Sequence, residues 1–400
     1  ILNYKPFKGG FIGVDIFFVI SGYLITSIIL KELITTNSFS FKHFYERRIR
    51  RILPVYLIVI LAIIPFAWMN FLIESFVDFS KSALYSLGFS SNLYFHYSGQ
   101  EYGARTGLFK PLLHTWSLSV EEQYYILFPI ILLISFKYFT KYLIHILVFG
   151  FIISISLADW SSKNYASISF YFIHTRIWEL LAGSILAYFE IIKFYKKKNR
   201  VVSFILPPIG LFLILHSIIF FDDKIFHPSF YTLSPVIGVC LIIFFSNKKD
   251  ILTKILSTKL LVGIGLISYS LYLWHYPIFA FNRIVSFTDG SIIKKLFLLT
   301  GIIILSITSY FYIEKPFRDK KVKFKKISII LLIILTIISL VNGYIVFKNG
   351  KVGFLHQKFQ NKYLSNNIFN DELRKESWKY VNNFNFQEFK SKNKIKILIV

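Results

Sequence analysis

Several stretches of this 400-residue chain set acids, cations and histidines where chemistry could use them. "HTWSLSVEEQYYILFP", His114 to Pro129, carries Glu121 and Glu122 side by side at the mouth of a long apolar run. "GGFIGVDIFFVISGYL" puts Asp15 near the start of a second run, and "TRIWELLAG" opens a third with Arg176 and Glu179 three residues apart, able to pair on one helical face. "ISYSLYLWHYP" delivers His275 late in a fourth. A histidine base oriented by a carboxylate can take the proton from a hydroxyl, and a cation beside it can hold an anion. An ionisable group inside a membrane span costs roughly 2.5 to 3.5 kcal/mol, so each of these residues demands its own account.

Structural roles compete for several of them. Ser119 with Glu122 three residues later fits a capping box, and a glutamate there also suits the positive end of the helix dipole. Glu121 is less well explained by a cap. His114 and His275 neighbour Trp116 and Trp274, so an aromatic belt at the membrane interface would account for them. The Arg176 and Glu179 pair could simply lock two helices. Asp15 has no partner nearby in sequence. In "ERRIRRILP", Arg47, Arg48, Arg50 and Arg51 immediately precede a span, with Pro54 near its first turn. Such a cluster is either a topogenic anchor or a site for the phosphates of a nucleotide-bearing thioester such as acetyl-CoA. No Gly-rich phosphate loop accompanies it.

The elements that must hold these residues follow from composition. With 55% hydrophobic and 19% aromatic residues and a mean hydropathy of +0.57, the chain reads as an all-α polytopic membrane protein. Its net charge of +25 sits in short clusters between apolar runs, which points to cytoplasmic loops facing anionic lipid and away from nucleic acid. The single cysteine, Cys240, lies in an apolar run and reads as a small core residue. No metal site is expected, and the oligomeric state is not legible.

Ten runs are long enough to span: 11 to 33, 52 to 73, 119 to 136, 142 to 159, 176 to 192, 201 to 221, 229 to 246, 260 to 283, 292 to 313 and 327 to 347. An eleventh, 77 to 96, is interrupted by Asp78, Lys81 and five serines. If it is re-entrant or interfacial, "KHFYERRIRR", "KFYKKKNR", "SNKKDILTK" and "EKPFRDKKVKFKK" share one face, which the positive-inside rule makes cytoplasmic. "FDDKIFHPSF" and "SFTDGS" then face out. On that topology Asp15, Glu121, Glu122, Arg176, Glu179 and His275 all fall in the outer half of the membrane. Residues 348 to 393 read as a polar linker to an external domain, and "KIKILIV", within 394 to 400, as the first strand of that α/β domain. Buried carboxylates and arginines also line transport paths, so a transporter or flippase of a lipid-linked sugar or a small anion is the alternative from another class. The lack of an inverted repeat weighs against it.

Six motifs in order, "GGFIGVDIFFVISGYLIT", "FSFKHFYERRIRRILP", "HTWSLSVEEQYYILFP", "RIWELLAGSILAY", "ISYSLYLWHYPIF" and "YIEKPFR", resemble the membrane-bound acyltransferase-3 family, which includes bacterial O-antigen and peptidoglycan O-acetylases. The resemblance covers about residues 7 to 318. It implies a bacterial inner-membrane domain, here 1 to 320 with a connecting span at 321 to 347. That domain takes an acyl group, commonly acetyl, from cytoplasmic acyl-CoA and passes it toward an envelope glycan. It associates Arg47, Arg48, Arg50 and Arg51 with the donor, and Asp15, Glu121 and Glu122 with the site of transfer. Beside what the resemblance implies, position alone makes His275 a candidate substitute base, with His114, Arg176 and Glu179 as further members of the polar cluster. Family members carry one more helix ahead of the "GGFIGVD" motif, with an arginine and a histidine thought to act in catalysis. The chain is therefore expected to be a fragment, inactive as it stands, whose continuation past residue 400 is an external SGNH-hydrolase-like domain.

Overall fold

The computed structural model describes residues 5–100, 106–192, 200–222, 224–247, 250–286 and 292–352. They form a helical bundle with no strand among the described residues. The expected strand at 394–400 and the linker from 353 onward lie outside them. A short 3-10 segment, Lys5–Ile12, leads into α1 (Gly13–Thr36), followed by α2 (Phe41–Asn70), α3 (Ile73–Leu87), α4 (Ser91–Ser98), α5 (Thr115–Tyr138) and α6 (Leu143–Asn164). Then come α7 (Ala166–Tyr171), α8 (Ile177–Ile191), α9 (Arg200–Phe220), α10 (Leu233–Phe245), α11 (Ile251–Leu256), α12 (Lys259–Ser286) and α13 (Ile292–Ser309). A π-helical turn, Tyr310–Glu314, joins α13 to α14 (Lys315–Arg318), and α15 (Phe324–Phe347) follows.

A helix stands at each of the ten expected places, but among the described residues seven helical stretches are long and apolar enough to cross a membrane. α8 and α10, of 15 and 13 residues, are the short ones, about 22 and 20 Å against a hydrocarbon core of about 30 Å. α12 is long enough, but serines, tyrosines and His275 interrupt its apolar run. α8 is nonetheless central: Trp178, Leu180 and Ala187 are fully enclosed. Its length is set by packing against other helices rather than by lipid.

The segment around 77 to 96 is not one helix. α3 ends at Gly88, Phe89 takes a left-handed φ of 49°, and α4 starts at Ser91. Tyr94 of α4 donates a hydrogen bond to Asp78 of α3, so the two helices form a hairpin. Its tip reaches the bundle interior, where Tyr56 of α2 donates to the Ser86 carbonyl at 2.8 Å and Gln123 of α5 to the Phe89 carbonyl at 2.9 Å. This is the shape of a re-entrant element. At the opposite end, Arg50 donates to the carbonyls of Phe317, Asp319 and Val322, which fixes the "ERRIRR" and "EKPFRDKK" segments at one end of the bundle. Asp15 and the 221–229 loop lie at the other.

Candidate active site

Two glycines determine where the charged residues meet. A Cβ on Gly22 of α1 would lie 1.9 Å from the Leu180 carbonyl oxygen, and one on Gly183 of α8 would lie 2.0 Å from that of Val19. α1 and α8 can therefore cross this closely only because both positions lack a side chain. Gly22 follows Asp15 by seven residues, and Gly183 follows Arg176 by seven. Two turns above the crossing, the two charges face each other.

There Arg176 Nη1 binds Asp15 Oδ1 at 3.0 Å and Glu179 Oε1 at 3.1 Å, all three side chains being fully buried. The i, i+3 pairing expected on α8 is thus present, and Asp15 has a partner far away in sequence. Arg176 Nε donates to the Phe170 carbonyl at 3.1 Å, and the guanidinium lies against the rings of Trp116 and Phe170. The sequence reading passed over the fourth member. His227, from the loop between α9 and α10, donates through Nε2 to Asp15 Oδ2 at 2.9 Å, and Arg176 Nη2 meets its Nδ1 at 3.2 Å. Burial lowers its proton affinity below the ordinary histidine range, with Asp15 opposing the shift and Arg176 reinforcing it. The His-Pro pair in "FDDKIFHPSF" was the only local signal, and nothing in it announces a partner 212 residues away.

Glu121 belongs to a different cluster. It accepts hydrogen bonds from Ser21 of α1 and from Tyr125 one turn along α5, and Ser21 and Tyr125 also bind each other. Ser21 lies six residues beyond Asp15, about 9 Å deeper along α1. Glu121 therefore does not share the depth of Asp15, as topology alone suggests. Helix α5 begins at Thr115, so Ser119 and Glu122 lie inside it and form no capping box. Ser119 Oγ instead pairs with Ser91 Oγ of the hairpin at 2.8 Å. Glu122, denied that role, keeps a buried Oε1 with no hydrogen-bond partner among the described residues.

The arginines reach this second cluster from the other end. Ser40 caps α2, accepting from the His43 backbone N–H at 3.3 Å. The helix consequently starts well before residue 52, and Arg47, Arg48, Arg50 and Arg51 stand on its early turns rather than in a loop, with Pro54 inside it. Arg48 lies over the Tyr125 ring, its Cζ 4.3 Å from the centroid, and Arg48 and Arg51 are both within electrostatic reach of Glu121. Arg47 is half-exposed beside Glu32 at 3.8 Å. Arg50 is consumed by Glu46 and the three carbonyls named above.

A third group forms where α5 meets α12. His275 directs Nδ1 at the carbonyls of Leu271 and Tyr272, 3.2 and 2.6 Å away. That contact makes Nδ1 the protonated nitrogen and leaves Nε2 as a lone pair. His114 packs against the rings of His275, Tyr272 and Tyr276, and neither of its nitrogens has a hydrogen-bond partner among the described residues. Trp116 and Trp274 are 6% and 9% exposed, so they are core residues and not an interfacial belt. Among the described residues no three His, Cys, Asp or Glu side chains are placed to hold a metal ion.

A bundle of apolar helices with buried carboxylates, arginines and histidines at separate levels defines a multi-pass membrane protein with an internal polar site. Residues 5–315 match the Acyl_transf_3 family, described as an acyltransferase domain, and the chain belongs to that family. It is 32% identical to O-acetyltransferase OatA of Staphylococcus aureus (strain NCTC 8325 / PS 47), the match covering 80% of this chain and 55% of the relative. It is 35% identical, with the same coverage, to the protein named "Putative O-acetyltransferase SACOL0978" of Staphylococcus aureus (strain COL). The chain thus spans about half the length of the curated relatives it matches. No solved structure matches it.

Proposed function

We propose that the protein is a membrane O-acyltransferase that takes an acyl group, acetyl by analogy with its relatives, from cytoplasmic acyl-CoA and delivers it to hydroxyls of a cell-envelope polysaccharide. The cytoplasmic face is the Arg50 end, and the Asp15 end faces out of the bacterial inner membrane. The observation that carries this reading is the chain of contacts Arg48, Tyr125, Glu121 and Ser21, which runs from the basic end of the bundle toward α1 below Asp15. Arg47, Arg48 and Arg51 are the donor phosphate ligands, since among the described residues neither Arg48 nor Arg51 spends its N–H groups on a protein hydrogen bond. Arg50 holds the segment after the π-turn in place. Glu121 and Glu122 line the path of the acyl group, and Asp15 orients the base that receives the acceptor's proton. Membership in an acyltransferase family separates this reading from a transporter or flippase. Proteins named O-acetyltransferase among its relatives support the acetyl group.

Membranes carrying the protein, given radiolabelled acetyl-CoA, should place label on envelope polysaccharide as a base-labile ester. Arg48→Ala should cut that labelling at least tenfold through a raised KM for acetyl-CoA, since a charge-assisted phosphate contact contributes about 1.5 to 3 kcal/mol. Unchanged labelling by this variant refutes the donor assignment, and no label on polysaccharide in any membrane refutes the function.

A further inference from the structure

We infer that His227 is the general base that takes the proton from the acceptor hydroxyl, held for that task by Asp15 and screened in the resting protein by Arg176. This rests on the acyl transfer proposed above and names the residue that performs its proton step.

Three features of the site point to His227. First, its tautomer is determined. Asp15 Oδ2 is a carboxylate acceptor 2.9 Å from Nε2, and Arg176 Nη2 is an obligate donor 3.2 Å from Nδ1. Nε2 therefore carries the hydrogen, and Nδ1 presents its lone pair. A carboxylate on one nitrogen and a basic lone pair on the other is the arrangement that a histidine base needs, because the carboxylate stabilises the imidazolium once it forms. Second, the guanidinium contact is the longest of the polar contacts in the cluster, at the outer end of the hydrogen-bond range. An incoming hydroxyl can take its place at Nδ1, and Arg176 remains held by Asp15, Glu179 and the Phe170 carbonyl. Third, His227 stands at the edge of the cluster. Its side chain is 9% exposed against 0% for Asp15 and Arg176, and it comes from a loop at the Asp15 end of the bundle. A polar acceptor arriving there meets His227 before the other members.

His275 lacks the second half of this arrangement. Its Nδ1 is tied to carbonyls of its own helix, and among the described residues no carboxylate is hydrogen-bonded to it to stabilise a positive ring.

The step balances. The hydroxyl proton passes to Nδ1 as the oxygen forms a C–O bond to the acyl carbonyl carbon. Arg176 Nη2, freed from Nδ1, donates to the carbonyl oxygen while negative charge accumulates there. The C–S bond of the thioester then breaks, its electron pair leaves on sulfur, and the imidazolium returns its proton to that sulfur. The products are an ester and a thiol.

The test is made in the bacterium that carries the protein, so that the acceptor is the cell's own. His227→Gln can still donate to Asp15 and accept from Arg176, and therefore keeps the cluster satisfied. Base-labile acetate on the envelope polysaccharide and the initial rate from labelled acetyl-CoA in isolated membranes should both fall 100- to 10,000-fold, the range for a lost general base. The KM for acetyl-CoA should not move. Imidazole added to membranes of His227→Gly should restore part of the rate, an effect that a merely structural residue would not give. Wild-type rates in His227→Gln, or a loss of rate traced entirely to missing folded protein with no imidazole rescue of His227→Gly, overturn the inference and leave the transferase intact. If the unaltered protein transfers nothing, both readings fall together.

Discussion

The clusters around Asp15 and around Glu121 are built from the same materials and differ in how they are finished. At Asp15 both carboxylate oxygens, three nitrogens of Arg176 and both nitrogens of His227 have partners. At the second level Glu122 Oε1 has no partner among the described residues, and Arg48 rests on an aromatic face. Glu179 Oε2 is also without a partner among the described residues, but its other oxygen is paired with Arg176, whereas Glu122 has no ion pair at all among them. A buried charge without partners is costly, so the first network largely accounts for its own burial while the second asks for a further group. Damage to the first should register as lost stability as well as lost rate. Damage to the second should register mainly as lost rate.

The comparison breaks most completely if the scaffold below the first cluster is removed. Gly183→Val would drive a side chain into the Val19 carbonyl, and should cost about 4 kcal/mol or more, enough to abolish a monodisperse peak in detergent. Next in size, Asp15→Ala and Glu122→Gln should part company in a thermal melt. The first takes away one of the two carboxylates on Arg176 and the acceptor of His227 and should destabilise by about 3 to 5 kcal/mol, whereas the second should stay within about 1 kcal/mol of wild type while acetyl transfer falls at least tenfold. Equal melting temperatures would erase the distinction between the clusters. The smallest effect is one of pH. Burial holds His227 neutral to a lower pH in the folded protein than in the unfolded chain, where histidine titrates near pH 6.5. Its contribution is therefore complete above about pH 6.5 and is lost as pH falls below that value, by no more than about 1.4 kcal/mol per pH unit. His227→Gln removes this titration but not those of Asp15, Arg176 and Glu179, so the stability gap between wild type and variant should narrow from pH 7 to pH 5.

Much of this was legible in the sequence. The apolar runs located the helices, and Asp15, Arg176, Glu179 and Glu121 were conspicuous because a charge in such a run is expensive. Loop charge indicated that the segment around 77 to 96 does not cross simply, and the hairpin of α3 and α4 has that form. What failed was inference across segments. Depth counted from span ends put Glu121 beside Asp15, yet α5 starts four residues before the expected span and carries Glu121 down to Ser21. A capping motif was read at Ser119 for the same reason. His227 escaped because it lies in a polar loop, where a histidine costs nothing and so draws no notice. Only its contacts with two other elements give it a role.

The matched spacing on α1 and α8 has a consequence for how this protein can change. Because the separation between glycine and charge is seven residues on both helices, the crossing and the ion pair are read off a single ruler. Inserting one residue between Gly22 and Asp15 would turn the carboxylate by about 100° and lift it by about 1.5 Å, undoing the pair while sparing the crossing. A matching insertion on α8, 161 residues away, would turn Arg176 in the same sense and would not restore the pair, so the two helices can drift in side chains but not in length between glycine and charge.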